Sequence, residues 1–223
     1  MGRSFGTAEL IYLLKAVPWT LLLSASALVC GAVVGLAVAI LRTAPSRPLR
    51  WIATGYIELF QGTPVLMQLF LAYYGLAVLF NIQFDAWSAV LIAFTLYSGA
   101  FLGEIWRGSI QAIPRAQWEA GESLTLSFAK QLRLIILPQA ARISIPPTVG
   151  FAVQLIKSTS VAAIIGFVEL TRAGQLMTNT TFKPMIVYPI VAVLYFIICW
   201  PLSLLAKALE KRLDRSLGVK AHL

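Results

Sequence analysis

The chain has 223 residues, of which 59% are hydrophobic and only 12% are charged, and its mean hydropathy is +0.81. Soluble domains carry about 25% charged residues, so this composition excludes an ordinary soluble fold and indicates a protein that folds in a lipid bilayer. The formal net charge of +9 does not require nucleic acid as a partner, because lysine and arginine concentrate at the inner ends of membrane helices.

Five segments are long and apolar enough to cross a membrane, for which a helix needs about 20 residues. In chain order they are residues 17–41, 56–80, 86–105, 143–165 and 185–208. Each is predicted to be a helix, because a lipid-exposed strand edge is not tolerated in a bilayer. The sequence therefore predicts an all-α integral membrane protein whose residues 1–223 form a single transmembrane domain.

The distribution of the 18 lysines and arginines predicts the orientation of these spans. Three of them follow the first span, five lie between the third and fourth spans, and five lie in the tail. Positive residues favour the cytoplasmic side, so the N-terminus is predicted to face outward and the C-terminus inward. Residues 106–142 then form the largest cytoplasmic loop.

Within this loop, small and apolar residues recur at helical spacing and predict one helix with a mostly apolar stripe. The stripe consists of Trp118, Gly121, Thr125, Phe128 and Leu132. Pro138 is expected to end or kink the helix, because proline lacks an amide donor. Periodicity is compatible with an amphipathic helix on the inner leaflet and equally with a helix that docks on a soluble partner.

Lys157 lies inside the fourth predicted span, roughly 22 Å from its inner end. A charge at mid-helix costs about 2.5–3.5 kcal/mol on insertion scales, so we expect Lys157 to face a cavity or a counter-charge. Gln154, Ser158 and Thr159 are expected to line the same cavity, with Glu169 or a substrate carboxylate as the counter-charge. The alternative is that the lysine extends to the outer headgroups.

A second set of polar side chains lies in the second predicted span and consists of Glu58, Gln61, Thr63 and Gln68. Gly62 and Pro64 can interrupt the helix at this point. Irregular backbone at membrane depth is tolerated only where it lines protein or water. The patch therefore fits either a solute path or a kinked helix buried in protein.

The sequence lacks the residue patterns of the common catalytic and cofactor sites. Its single histidine is His222, and no cluster of histidine, cysteine and acidic residues has metal-ligand spacing. The phosphate-binding pattern G-x-x-x-x-G-K-[ST] does not occur, so the chain is not expected to bind ATP by that route. We therefore predict neither an enzyme nor a bound metal or cofactor.

The stretch "EAGESLTLSFAKQLRLIILPQA" resembles the EAA loop of ABC-importer permeases, in which Glu-Ala-Ala is followed four residues on by glycine and later by Leu-Pro. The stretches "ELFQGTPVLMQLFLAYYGL", "YSGAFLGEIWRGSIQAIPRAQ" and "PPTVGFAVQLIKSTSVAAIIGFVELTRAGQ" resemble the polar amino-acid branch of that family, the histidine permeases. The resemblance covers nearly the whole chain. Gly121 replaces the usual alanine, Thr125 the usual glycine, and Ser158 a frequent aspartate.

This resemblance implies the type I ABC-importer permease fold and a role as the transmembrane subunit of an ATP-driven importer for polar amino acids in the bacterial inner membrane. The loop helix would then be the coupling helix that docks on a separate ATPase. The residues implied in this docking are Arg115, Glu119, Ala120, Gly121, Thr125 and Phe128. ATP and Mg would be bound by the ATPase chain.

The resemblance also implies the remaining partners, which are an ATPase pair, a second permease, a periplasmic solute-binding protein and the surrounding lipid. The second permease is either identical or homologous. Opines or other amino-acid derivatives are the alternative substrates. A stand-alone channel or secondary carrier is the alternative from a different class, but it would not explain a docking helix.

Overall fold

The computed structural model describes residues 5–81 and 83–217, so Arg3, Lys220 and His222 lie outside the described residues. Within these ranges the chain is built from helices. They are α1 (Thr7–Thr43), α2 (Arg47–Gly62), α3 (Val65–Phe70), α4 (Leu76–Phe80), α5 (Ala86–Gln111), α6 (Arg115–Ser123), α7 (Phe128–Gln131), α8 (Leu137–Ser158), α9 (Leu170–Thr181) and α10 (Pro184–Leu217). Wider π turns join α3 to α4 and α7 to α8, and a 3₁₀ segment, Thr159–Ile165, follows α8.

Four stretches of the described chain are long and apolar enough to cross a bilayer, and a bent helix pair provides a fifth candidate. The four are Thr7–Thr43, Ala86–Gln111, Phe128–Ile165 and Pro184–Leu213. The bent pair is Arg47–Gly62 with Val65–Leu79, whose axes differ by 104°. The fold is that of an integral membrane protein with up to five spans.

The second predicted span, 56–80, is not one straight helix in the structure. Helix α2 begins earlier, at Arg47, and ends at Gly62. Thr63 and Pro64 then take extended backbone angles, with ψ of 144° and 134°. A residue before proline is driven out of the helical region and proline cannot donate to the preceding turn, so the chain breaks here and restarts at Val65.

Helices α1 and α5 pack closely against each other. Each carries two glycines four residues apart, Gly31 and Gly35 on α1 facing Gly99 and Gly103 on α5. A Cβ added to Gly35 would lie 2.9 Å from the Leu102 Cβ, closer than side chains pack. Such small-residue pairs let two membrane helices approach backbone to backbone, so dispersion contacts hold α1 and α5 together.

The main core surrounds α5. Leu23 of α1, Leu69 of α3 and Leu155 of α8 are fully buried around Phe94. Helix α8 is held against α5 by aromatic rings, including a stacked Phe101–Phe151 pair with centroids 5.4 Å apart. The outer faces of α1 and α10 leave large apolar side chains exposed, as expected of surfaces that meet lipid or another subunit.

Candidate functional site

The loop between α5 and α8 is a helix–turn–helix, so the prediction of one continuous helix from Trp118 to Leu132 is wrong. Helix α6 ends at Ser123 and α7 begins at Phe128. Thr125, between them, has a left-handed φ of 55°. The Leu126 amide donates to the Gly121 carbonyl (3.2 Å), and the Thr125 amide donates to the Glu122 carbonyl (2.8 Å). These two bonds define a Schellman motif, which stops the helix.

The inner face of this loop packs on the ends of two long helices. Ile110, in the last turn of α5, and Ile113, just after it, are buried in one cluster. The same cluster contains Ile136, at the end of the π turn, and Ala140, in α8. Trp118 joins this cluster and stacks over Phe128, with ring centroids 6.0 Å apart. Buried apolar contacts therefore connect α6 to the ends of α5 and α8.

The outer face of the loop presents most of the side chains that the sequence predicts for docking. Arg115, Glu119, Ala120, Thr125 and Phe128 are exposed, whereas Gly121 is buried against the Gln131 side chain. Of the predicted stripe, Trp118 and Gly121 thus face the protein, whereas Thr125 and Phe128 are exposed, and the Glu119–Ala120 side of α6 faces outward. This exposed side is a surface of mixed polarity that a partner protein can cover.

The end of α8 places Lys157 and Gln154 at the surface of this chain. The neighbouring hydroxyl groups donate to backbone carbonyls one turn earlier. Ser158 Oγ donates to Gln154 O (3.0 Å), and Thr159 Oγ1 donates to Ile156 O (2.7 Å). These bonds accompany the tightening of α8 into the 3₁₀ segment. Of this set, Lys157 and Gln154 have their side-chain groups directed outward.

Glu169 is buried between three helices, where it begins α9. Its carboxylate accepts hydrogen bonds from the Thr171 amide (2.9 Å), the Arg172 amide (2.8 Å) and the Tyr195 hydroxyl (2.7 Å). Those donors replace the Lys157 ammonium that the sequence suggested as its partner. The Arg172 guanidinium donates to the side-chain oxygen of Gln175 (3.0 Å). Burial raises the pKa of Glu169, and its hydrogen bonds oppose that rise.

Further contacts connect the start of α9 to α1 and α10. Tyr195, which lies on α10, also hydrogen-bonds the Thr171 hydroxyl (2.9 Å). The Leu170 amide donates to Thr20 Oγ1 of α1 across 3.1 Å. Sequence analysis did not identify Thr20 or Tyr195, because neither has a pattern that separates it from the apolar run around it. Glu169 therefore acts as a helix cap that holds α9 on the bundle.

At the break between α2 and α3, polar side chains replace missing backbone donors. The Gln68 amide donates to Phe60 O (2.8 Å) and to Thr63 O (3.1 Å). Thr63 Oγ1 donates to Leu59 O (2.7 Å), and the Gln61 amide donates to Ala100 O of α5 (3.4 Å). These bonds involve three of the four polar residues predicted in this span. The side chain of the fourth, Glu58, is exposed.

The sequence matches the protein family described as "Binding-protein-dependent transport system inner membrane component" over residues 31–218. It is 39% identical over 198 residues to the L-cystine transport system permease protein TcyB of Bacillus subtilis, covering 88% of this chain and 84% of that protein. It is 35% identical over 202 residues to the glutamine transport system permease protein GlnP of Escherichia coli, covering 90% of this chain and 92% of that protein.

The fold is similar to that of solved transporter structures. A crystal structure of an amino acid ABC transporter with histidines aligns with a TM-score of 0.86 and 30% identity, covering 94% of this chain and 100% of that one. The inward-facing MetNI methionine ABC transporter aligns with a TM-score of 0.74 and 17% identity, covering 92% and 99%. The second likeness concerns the fold alone.

Proposed function

Since the chain belongs to the family of binding-protein-dependent transport system inner membrane components, we propose that it is the permease subunit through which an ATP-driven importer moves polar amino acids. Named relatives carry L-cystine and glutamine, and the similar crystal structure is of an amino acid transporter. The single observation that carries the proposal is the exposed Glu119–Ala120 side of α6, supported from behind by the buried Ile110–Ile136 cluster.

In this proposal α6 transmits the force of ATP hydrolysis. Glu119, Ala120 and Phe128 enter a cleft of the ATPase, and Arg115 contributes a polar contact at its rim. Gly121 shapes the loop from its buried side, and Thr125 shapes the turn that follows α6. Closure of an ATPase pair, which binds ATP and Mg, displaces α6, and the buried contacts carry this displacement into α5 and α8. The spans then rock between inward-open and outward-open states as rigid bodies.

A second permease subunit, identical or homologous, completes the solute path. Five spans enclose too little space for a polar solute, and a two-fold axis is the commonest symmetry by which soluble subunits pair. A periplasmic solute-binding protein would deliver the amino acid to the outer side of this pair. With the predicted N-terminus-out orientation, α6 would lie on the cytoplasmic side, where the ATPase would be.

The solute path is proposed to use the outward-directed groups among the predicted polar residues. Lys157 and Gln154 would contact the substrate carboxylate, and Glu58 would contact a positive group or water. Ser158 and Thr159 shape the end of α8 beside this path. Gln61, Thr63 and Gln68 hold the break that borders the path, whereas Glu169 supports it through α9.

Charge reversal at α6 tests the coupling. Glu119→Lys is expected to abolish co-purification of the ATPase and uptake by the reconstituted complex, because a cation replaces the anion at the docking surface. Glu210→Lys, an equal reversal at an exposed position of α10, serves as the control and should leave both intact. The coupling assignment is wrong if Glu119→Lys keeps both. Competition for uptake by amino acids, opines and other derivatives distinguishes the proposed substrate class from its alternative.

A further inference from the structure

Gly121 and Gln131 face each other across the turn between α6 and α7. Gln131 is only 3% exposed, although its neighbours in this part of the loop are mostly apolar. A Cβ added to Gly121 would lie 2.7 Å from the Gln131 Cγ and 2.9 Å from its Cδ. The glutamine side chain therefore occupies the space that a side chain at position 121 would need.

The Gln131 amide is also bonded to α6. Its Nε2 donates to the backbone carbonyl of Trp118, thirteen residues earlier in the chain. A buried amide without a partner would destabilise the loop, so this bond compensates for the burial of Nε2. The Trp118 ring stacks on Phe128 at the start of α7. Residues on both sides of the turn are thus joined by a hydrogen bond, a ring stack and one close-packed glycine.

We propose that Gly121 and Gln131 form a matched pair that fixes the angle between α6 and the helix leading into α8, which makes Gln131 a positioning residue for coupling. This inference rests on the proposed function, because coupling presupposes an ATPase docked on α6. An alanine at position 121 would push the Gln131 side chain away from Trp118. The turn at Leu124–Ser127 would then act as a hinge, and displacement of α6 would bend the turn instead of moving α8.

A double-mutant cycle with Gly121→Ala and Gln131→Ala tests the pair. Two quantities are measured: hydrogen–deuterium exchange of residues 115–131 in the purified chain, and uptake per ATP hydrolysed in the reconstituted complex. We expect Gly121→Ala to reduce uptake per ATP about fivefold when residue 131 is glutamine and less than about twofold when residue 131 is alanine. The reason is that the effects of substitutions at contacting residues are not additive. Amide exchange in residues 115–131 should follow the same pattern. Gly108→Ala is the matched control, since a methyl group there meets no atom within 4 Å.

Equal effects of Gly121→Ala on exchange in both backgrounds would overturn the matched pair. A coupled effect on exchange with unchanged uptake per ATP would overturn the positioning role. The unmodified complex tests the proposed function separately, because uptake and ATPase binding by that complex do not depend on the cycle. Exchange in the isolated chain likewise requires no ATPase.

Discussion

Thr125 occupies the left-handed position of the Schellman motif with a β-branched side chain, although glycine normally takes this position. The left-handed conformation costs an L-residue roughly 1–2 kcal/mol, because its Cβ approaches the following carbonyl oxygen. The sequence pattern identified position 125 as a departure from the expected glycine. It did not show why glycine is expected there, since helical periodicity continues across the break and concealed the end of α6.

We expect Thr125→Gly to stabilise the protein by about 1 kcal/mol, because glycine adopts the required φ of 55° without steric conflict. The thermal unfolding midpoint of the detergent-solubilised chain measures this. Thr125→Ala is the control, as it removes the branched side chain but keeps the Cβ. An equal gain from alanine would assign the effect to the lost side chain and contradict backbone strain as its cause.

Two acidic helix caps allow the effect of burial to be measured within one chain. Asp85 caps α5 by accepting from the Trp87 and Ser88 amides (3.1 and 3.4 Å) and is exposed, whereas Glu169 caps α9 and is fully buried. Glu169→Gln is expected to cost about 1–3 kcal/mol, because one amide donor of α9 would meet an NH₂ group in a buried site. Asp85→Asn should change stability little, since asparagine caps as well as aspartate. Equal losses in the thermal midpoint would contradict this difference.

The pH dependence of stability should differ in sign between these caps. Burial raises the pKa of Glu169, so its contribution is present below the ordinary carboxyl value of about 4.3 and is lost as pH rises through the raised pKa. The Ser88 hydroxyl lowers the pKa of Asp85, so its contribution is lost as pH falls through the lowered pKa. Thermal unfolding midpoints measured at pH values around these two pKa values test both trends. The Glu169→Gln variant should lack the first trend, and the Asp85→Asn variant should lack the second.

Lys157 has an exposed charge at a depth where contact with lipid would be unfavourable. Its side chain is exposed on the chain, and a charge facing lipid would be unfavourable by about 2.5–3.5 kcal/mol. Lys157→Met is therefore expected to lower uptake about tenfold, because a charge-assisted hydrogen bond to the substrate carboxylate is lost. Co-purification of the ATPase should be unchanged. Lys183→Met, in the segment between α9 and α10, is the control, and normal uptake by Lys157→Met would instead indicate a side chain that reaches the headgroups.

At the scale of elements, the break between α2 and α3 shows what local sequence can predict. Gly62 and Pro64 indicate that the helix is interrupted, and the structure is interrupted there. The 104° bend was not predictable. It is accompanied by hydrogen bonds from Gln68 to the Phe60 carbonyl and from Gln61 to the Ala100 carbonyl of α5, and such contacts have no periodic signal in the sequence.

The contact between α1 and α5 gives an element-scale prediction. We expect Gly35→Ala to destabilise the protein by about 1–3 kcal/mol, because the added methyl group forces two closely packed backbones apart. Gly150→Ala makes the same change on α8 where no atom lies within 4 Å, and it should cause no loss. Thermal midpoints of both variants compare them directly. Equal midpoints would contradict a close-packed glycine contact as a source of stability.

For the whole molecule, composition and hydropathy predicted a helical membrane protein, because a bilayer selects helices regardless of detail. The positions of α6 and α9 on the bundle were less accessible to sequence analysis. They depend on groups such as the buried Gln131 and the half-buried Tyr195, each bonded to a residue of another helix or turn. Hydropathy and charge therefore located the spans and the loop, while the contacts that join α6 and α9 to the bundle required the folded structure.

The orientation of the molecule in the membrane is the prediction on which the direction of transport depends. With the N-terminus outside, Lys183 lies on the outer side and Lys130 on the inner side. Both side chains are exposed, and Cys30 and Cys199 are first replaced by serine so that each probe is the sole cysteine. In intact cells with a permeable outer membrane, an impermeant maleimide should label Lys183→Cys but not Lys130→Cys. Lys130→Cys should react once the inner membrane is opened. The reverse labelling would place α6 outside, away from any cytoplasmic ATPase, and would make coupling through that helix physically impossible.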